Sequence, residues 1–138
     1  MPTGFGRTLS ILVVEDDTAV AELLRAVLNR VPGWGATLVH DASAAREIIR
    51  HVKIEALVLD VNLPGISGPE LLLMLADDPA WSRPPVVLVS SDVGQPGVPE
   101  ALRSGRAVAA LQKPFDIDEL VEQIERAVSG DTADPSLT

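Results

Sequence analysis

Cysteine is absent from the 138 residues, which removes disulfides, thiolate metal sites and cysteine nucleophiles together and fits a chain that never depends on an oxidising compartment. Long apolar runs are missing too. The longest, Leu71 to Ala76, is far short of the ~18 residues of a membrane-spanning helix, and the opening MPTGFGRTLS has no apolar stretch of secretory type. The expectation is a cytoplasmic protein with no membrane partner. Lysine occurs only as Lys53 and Lys113, and 11 basic against 20 acidic side chains leave a formal charge of −9, which opposes direct binding to nucleic acid. Tyrosine is missing, and the aromatics are Phe5, Trp34, Trp81 and Phe115. Against these shortages, a hydrophobic fraction of 46% with 22% charged residues supplies a core for one domain and excludes wholesale disorder.

Short β-rich apolar runs alternate with segments of helical periodicity, strand then helix, five times. Strands are expected at Ile11 to Val14, Thr37 to Val39, Ala56 to Leu59, Val86 to Val89 and Val108 to Leu111. The first helix carries Val20, Leu23, Leu24, Val27, Leu28 and Val31 as one broad buried stripe, stopped by Pro32-Gly33. The second, capped by Asp41, has Ala45, Ile48, Ile49 and Val52 inside. Ser67 and Pro69 open a third helix over Leu71 to Leu75, a short fourth spans Glu100 to Ser104, and Asp116 with Glu119 forms a capping-box variant for the fifth, whose stripe is Ile117, Leu120, Val121, Ile124 and Val128. Residues 1–8 read as an extension, 9–129 as the domain and 130–138 as a frayed tail too short for a further domain. Strands apolar on both faces with helical crossovers imply an α/β fold, a doubly wound five-stranded parallel sheet of flavodoxin-like order 2-1-3-4-5 with helices on both faces. Function is then expected at the carboxyl ends of strands one and three.

Those ends carry Glu15 and Asp16, with Asp17, and Asp60. A single acidic residue after a strand is ordinarily a helix cap, and Asp17 fits that role. Several carboxylates in one crevice repel one another, which points to a cation that offsets the repulsion, and an all-oxygen set points to Mg²⁺. Ser90 ends strand four and Lys113 follows strand five. Each alone is an ordinary turn or solvated residue. Together they supply the donors that hold a phosphoryl group, while Asp60 serves as the attacking carboxylate.

These segments resemble the receiver domains of two-component response regulators over residues 9–128, nearly the whole chain. ILVVEDD is similar to the family's acidic metal-binding pair, here Glu15 and Asp16. LVLDVNLPGISG is similar to its phosphorylation segment, with Asp60 as acceptor and the Asn62 backbone carbonyl as a metal ligand. VVLVSSD matches the segment of the switch hydroxyl, placing Ser90 and Ser91 at the phosphate, and QKPF matches the Lys-Pro pair, with Lys113 binding phosphate and Pro114 typically cis. The resemblance implies Mg²⁺ as cofactor, and phosphoryl transfer from a histidine kinase or histidine phosphotransfer protein to Asp60. Catalysis is limited to that self-catalysed transfer and to autodephosphorylation. Output passes through protein contacts to an unknown partner, from a monomer or a weak phosphorylation-dependent dimer. Asn62 and Asp92 occupy positions that tune dephosphorylation. One departure stands out: the strand-five position of the family's switch Tyr or Phe is Ala110, and the segment before Lys113 carries an irregularity near Gly105-Arg106.

Other readings have less behind them. The glycine-rich nucleotide loops are missing, Gly65 to Gly68 is one residue short of a nucleophile elbow, and His40 and His51 read as surface or helix residues. A haloacid-dehalogenase-like phosphatase needs a second Asp where Asn62 stands. The remaining alternatives are a receiver-like interaction module that is never phosphorylated, and a receiver fragment of a hybrid kinase or DNA-binding regulator.

Overall fold

Five parallel strands form the centre of the protein, whose structure, a computed structural model, describes residues 8–130. In chain order the elements are β1 (Leu9–Val14), α1 (Thr18–Leu28), β2 (Trp34–Val39), α2 (Ala42–His51), β3 (Ala56–Asp60), α3 (Gly68–Ala76), β4 (Val86–Ser90), α4 (Val98–Arg103), β5 (Ala109–Gln112) and α5 (Ile117–Ser129). The sheet order is β2-β1-β3-β4-β5, the doubly wound order expected. The short runs become strands because β3 and β4 are buried at every position, which only a sheet covered on both faces allows. Most of the tail expected over 130–138 and of the extension expected over 1–8 lies outside the described residues.

Alternation along the strands divides the interior in two. Leu12, Val14, Leu57, Leu59, Val86 and Leu88 pack with α2, α3 and α4 on one side. Ile11, Val13, Ala56, Val58, Val87 and Val89 pack with α1 and α5 on the other. The helix starts are set by side chains competing for unpaired N–H groups. Asp17 accepts from Ala19 and Val20 at 3.0 and 3.2 Å, and Asp41 from Ala44 at 2.8 Å. Ser67 accepts from the Glu70 N–H at 3.1 Å while Glu70 accepts from the Ser67 N–H at 2.9 Å, a reciprocal box. That box belongs to α3 and not to α5, where Asp116 accepts from the Asp118 N–H at 2.9 Å without a return bond from Glu119.

Several expected boundaries shift. α1 ends at Leu28, so Val31 lies beyond it, and Leu23 is 54% exposed while Ala21 is buried in its place. The helix presents a narrower face to the sheet than its apolar content implies. Val52 is the extended cap of α2 and exposed, not an inward residue. β2 begins at Trp34, three residues earlier than expected, because its Trp34 to Ala36 segment stays in parallel register with Leu9 to Ile11 of β1. β5 starts at Ala109, leaving Val108 exposed. The α4 turn begins two residues before Glu100, and Gly105, at φ 79°, ends it.

Candidate functional site

Parallel strands leave the sheet along one edge, and the topological reversal between β1 and β3 opens a crevice there. The residues just past the strand ends are held by ladder bonds that continue outward. Glu15 N–H donates to Val39 O at 3.1 Å, Val61 N–H to Val89 O at 2.9 Å and Lys113 N–H to Ser90 O at 2.7 Å. α3 begins close against β3, with Gly68 N–H on Val61 O at 2.8 Å. A Cβ on Gly68 would stand 2.7 Å from the Asp60 carbonyl oxygen, so only glycine lets the two backbones approach this closely.

The sheet thereby brings Glu15, Asp16, Asp60 and Lys113 together. One carboxylate oxygen from each of the three acids lies within 4.8 Å of the others; Glu15 is 1% and Asp60 3% exposed, and Asp16 is exposed. Lys113 Nζ is 2.9 Å from Glu15 Oε1 and 3.3 Å from Asp60 Oδ2. The second oxygens accept backbone N–H groups, Asn62 on Asp60 Oδ1 at 3.0 Å and Asp17 on Glu15 Oε2 at 3.1 Å. Burial pushes the Glu15 carboxyl above its ordinary range, with Asp60 adding to the rise and the Lys113 and Asp17 bonds opposing it. Burial works against the charge on Lys113, but its bond to Glu15 and the charges of Asp60 and Glu15 outweigh it and hold the ammonium above its usual value. Three carboxylates against one ammonium leave net negative charge in a confined space. An all-oxygen set of that kind suits a hard divalent cation.

Ser90, 1% exposed, lies at the end of β4 on the α4 side of the sheet. Its hydroxyl is 3.0 Å from both Asp92 O and Gln95 Oε1 and accepts the Asp92 N–H at 3.0 Å. Ser91 beside it is exposed. The Asp92 carboxylate is also exposed and turns to its own loop, accepting the Gly94 N–H at 2.9 Å. Ala110 packs against the α2–α4 core in register with Leu88, so this strand offers a methyl group there and no ring. The Lys113–Pro114 peptide is cis.

Two residues in this neighbourhood escape a reading of the sequence. Gln95 bridges Ser90 to Asn62, donating to Asn62 Oδ1 at 3.0 Å, and nothing in a Gly/Pro-rich loop marks it. His40 donates from Nδ1 to the Glu15 carbonyl at 3.1 Å, tying the loop after β2 to the acidic pair. His51, in contrast, bonds the Glu47 carbonyl within its own helix.

The response regulator receiver domain family matches residues 11–125. The transcriptional regulatory protein FixJ of Bradyrhizobium diazoefficiens is 34% identical over 119 residues, which cover 86% of this chain and 56% of FixJ. The DNA-binding response regulator MtrA of Mycolicibacterium smegmatis is 32% identical over 126 residues, 91% of this chain and 53% of MtrA. Among solved structures, the receiver domain of the Francisella response regulator 1452 superimposes with a TM-score of 0.78 at 26% identity, covering 89% of this chain and 98% of that one. The chain spans about half the length of the curated relatives it matches.

Proposed function

The chain belongs to the response regulator receiver domain family, and from that premise we propose that Asp60 is the residue that accepts the phosphoryl group. An Asp60 carboxylate oxygen attacks phosphorus on a phosphohistidine of a histidine kinase or histidine phosphotransfer protein. The P–N bond breaks as the P–O bond of an acyl phosphate forms, and the imidazole leaves with the electron pair. Water later attacks the same phosphorus, releasing inorganic phosphate and restoring the carboxylate. The observation that carries this reading is the meeting of a buried carboxylate with a charged lysine and two further acids at one strand edge.

Mg²⁺ fits the donor set, with Asp16, Asp60, Glu15 and the Asn62 backbone carbonyl as the groups that would hold it. When bound, the ion neutralises charge on phosphoryl oxygens. Lys113 and the hydroxyls of Ser90 and Ser91 orient the group, the lysine by exchanging part of its attachment to Glu15 and Asp60 for phosphoryl oxygen. The chain itself turns over no separate substrate. Beside Lys113 an apolar hollow lined by Val20, Leu23, Phe115 and Ile117 offers the donor protein a place to rest. Among the described residues no helix is long and apolar enough to cross a membrane. Output passes to another protein through the face of α4, β5 and α5, without a ring at Ala110 to reorient.

Incubation with acetyl phosphate, with and without Mg²⁺, tests the assignment by intact-mass spectrometry. One added phosphate is expected with Mg²⁺ present and none in Asp60→Asn. Full labelling of Asp60→Asn refutes the acceptor, and a parent that is never labelled favours the unphosphorylated interaction module.

A further inference from the structure

We propose that Gln95 is a positioning residue that latches the Ser90 hydroxyl in the unphosphorylated protein, and that losing this latch carries the phosphorylation signal into α4. The proposal rests on the reading of Asp60 as acceptor. Ser90 Oγ has a single proton to give, and two acceptors compete for it at equal distance, Asp92 O and Gln95 Oε1, each at 3.0 Å. The hydroxyl is shut off from water, so its partner must be a protein group or the phosphoryl group.

The far side of the Gln95 amide is committed as well. Its nitrogen donates to Asn62 Oδ1 at 3.0 Å, and Asn62 Nδ2 approaches Gln95 Oε1 at 3.4 Å. Asn62 N–H is bonded to Asp60 Oδ1 at 3.0 Å. Asp60, Asn62, Gln95 and Ser90 therefore form a chain of contacts from the acceptor to the hydroxyl, crossing between the loops after β3 and β4.

Gln95 also touches the helix through its backbone. Val98 N–H, at the first position of α4, donates to Gln95 O at 3.2 Å, and Gln95 N–H donates to Asp92 O at 3.2 Å. Displacement of the amide is thus felt directly at the helix start. A phosphoryl oxygen on Asp60 is an anionic acceptor, and hydrogen bonds to charged acceptors are about twice as strong as neutral ones. Ser90 gives its proton to that oxygen, Gln95 loses the acceptor half of its attachment, and the 91–97 loop is freed. With Ala110 in place of a ring, this amide supplies a link that the strand-five position lacks.

Gln95→Leu keeps the side-chain bulk and removes both amide bonds, whereas Gln95→Glu keeps an acceptor for Ser90 and for the Asn62 amide. Each is compared with the parent by amide exchange over residues 91–103, with and without beryllofluoride, and by the rate of phosphoryl uptake from acetyl phosphate. In Gln95→Leu, exchange without beryllofluoride should rise to the level the parent reaches only with it. Uptake should quicken roughly three- to tenfold, the value of one hydrogen bond, and Gln95→Glu should restore the protection. If Gln95→Leu leaves the resting exchange and the beryllofluoride response of the parent intact while the parent is labelled, the latch is wrong and the acceptor stands. A parent that takes up no phosphoryl group overturns both.

Discussion

Removing the Lys113 ammonium tests the charge arrangement at the centre of the crevice. Lys113 Nζ lies 2.9 Å from Glu15 and 3.3 Å from Asp60, and both carboxylates are almost fully buried. With an effective dielectric constant of about 20, these separations correspond to roughly 6 and 5 kcal/mol of attraction. Most of that offsets the cost of taking the three charges out of water. What a Lys113→Met substitution reveals is limited further, because the stranded acids can take up one proton. For a carboxyl of ordinary pKa that step costs roughly 3.7 kcal/mol at pH 7, which caps the loss. The expected loss of stability in EDTA is therefore about 2–3 kcal/mol, or a fall in Tm of roughly 8 °C for a domain of this size. Urea denaturation in EDTA and in Mg²⁺ measures it. Mg²⁺ should narrow the gap, since cation and ammonium offset the same charges and the variant gains more from the ion. A variant within about 0.5 kcal/mol of the parent in EDTA, or a gap that Mg²⁺ leaves unchanged, would refute the reasoning.

Gly97 stands at φ 94°, and a Cβ there would meet Pro69 Cβ at 2.8 Å; Gly97→Ala should cost about 2 kcal/mol in urea denaturation, combining a left-handed backbone with a clash, and a neutral result would mean that the start of α4 is not held against α3. At Asp92, whose carboxylate bonds the Gly94 N–H, replacement by leucine should slow hydrolysis of the acyl phosphate by screening water from the crevice. Loss of label followed by mass spectrometry measures that rate, and an unchanged decay counts against any role for the position.

Why the site could be read in advance follows from topology. Once the alternation of apolar runs implies a parallel sheet, Glu15, Asp16, Asp60 and Lys113 are brought to one edge, because each ends or follows a strand that leaves the sheet there, and Ser90 ends the neighbouring strand on its α4 side. No comparable rule governs Gln95. Its neighbours are Gly94 and Pro96, its part in the site comes from a loop path that periodicity does not describe, and one polar residue in such a loop looks like any other. Leu23 departs from its expected place for the opposite reason: helical spacing identifies an apolar stripe but not how much of it the sheet can cover, and here Ala21 and Leu24 face the strands while Leu23 stays at the surface. Val52 continued the α2 periodicity beyond the point where the backbone had already turned extended. The early start of β2 depends on pairing with β1, a long-range cause that the local composition of Trp34-Gly35-Ala36 does not carry.

The sheet divides its two cores strictly, with odd and even strand positions feeding different clusters. Continued past the strand ends, the alternation assigns Glu15, Asp60 and Lys113 to the α1/α5 side and Ser90 to the α4 side. The sheet thus separates two packing faces that share a backbone. Helices α1 and α5 border the acidic cluster and the apolar hollow, and their outer residues can change without disturbing the packing beneath α4. Substitutions on α4 itself, beyond the 91–97 loop, leave the Lys113 contacts to Glu15 and Asp60 alone. The outer surfaces on the α1 and α5 side and on the α4 side can therefore diversify separately in chains built on this plan.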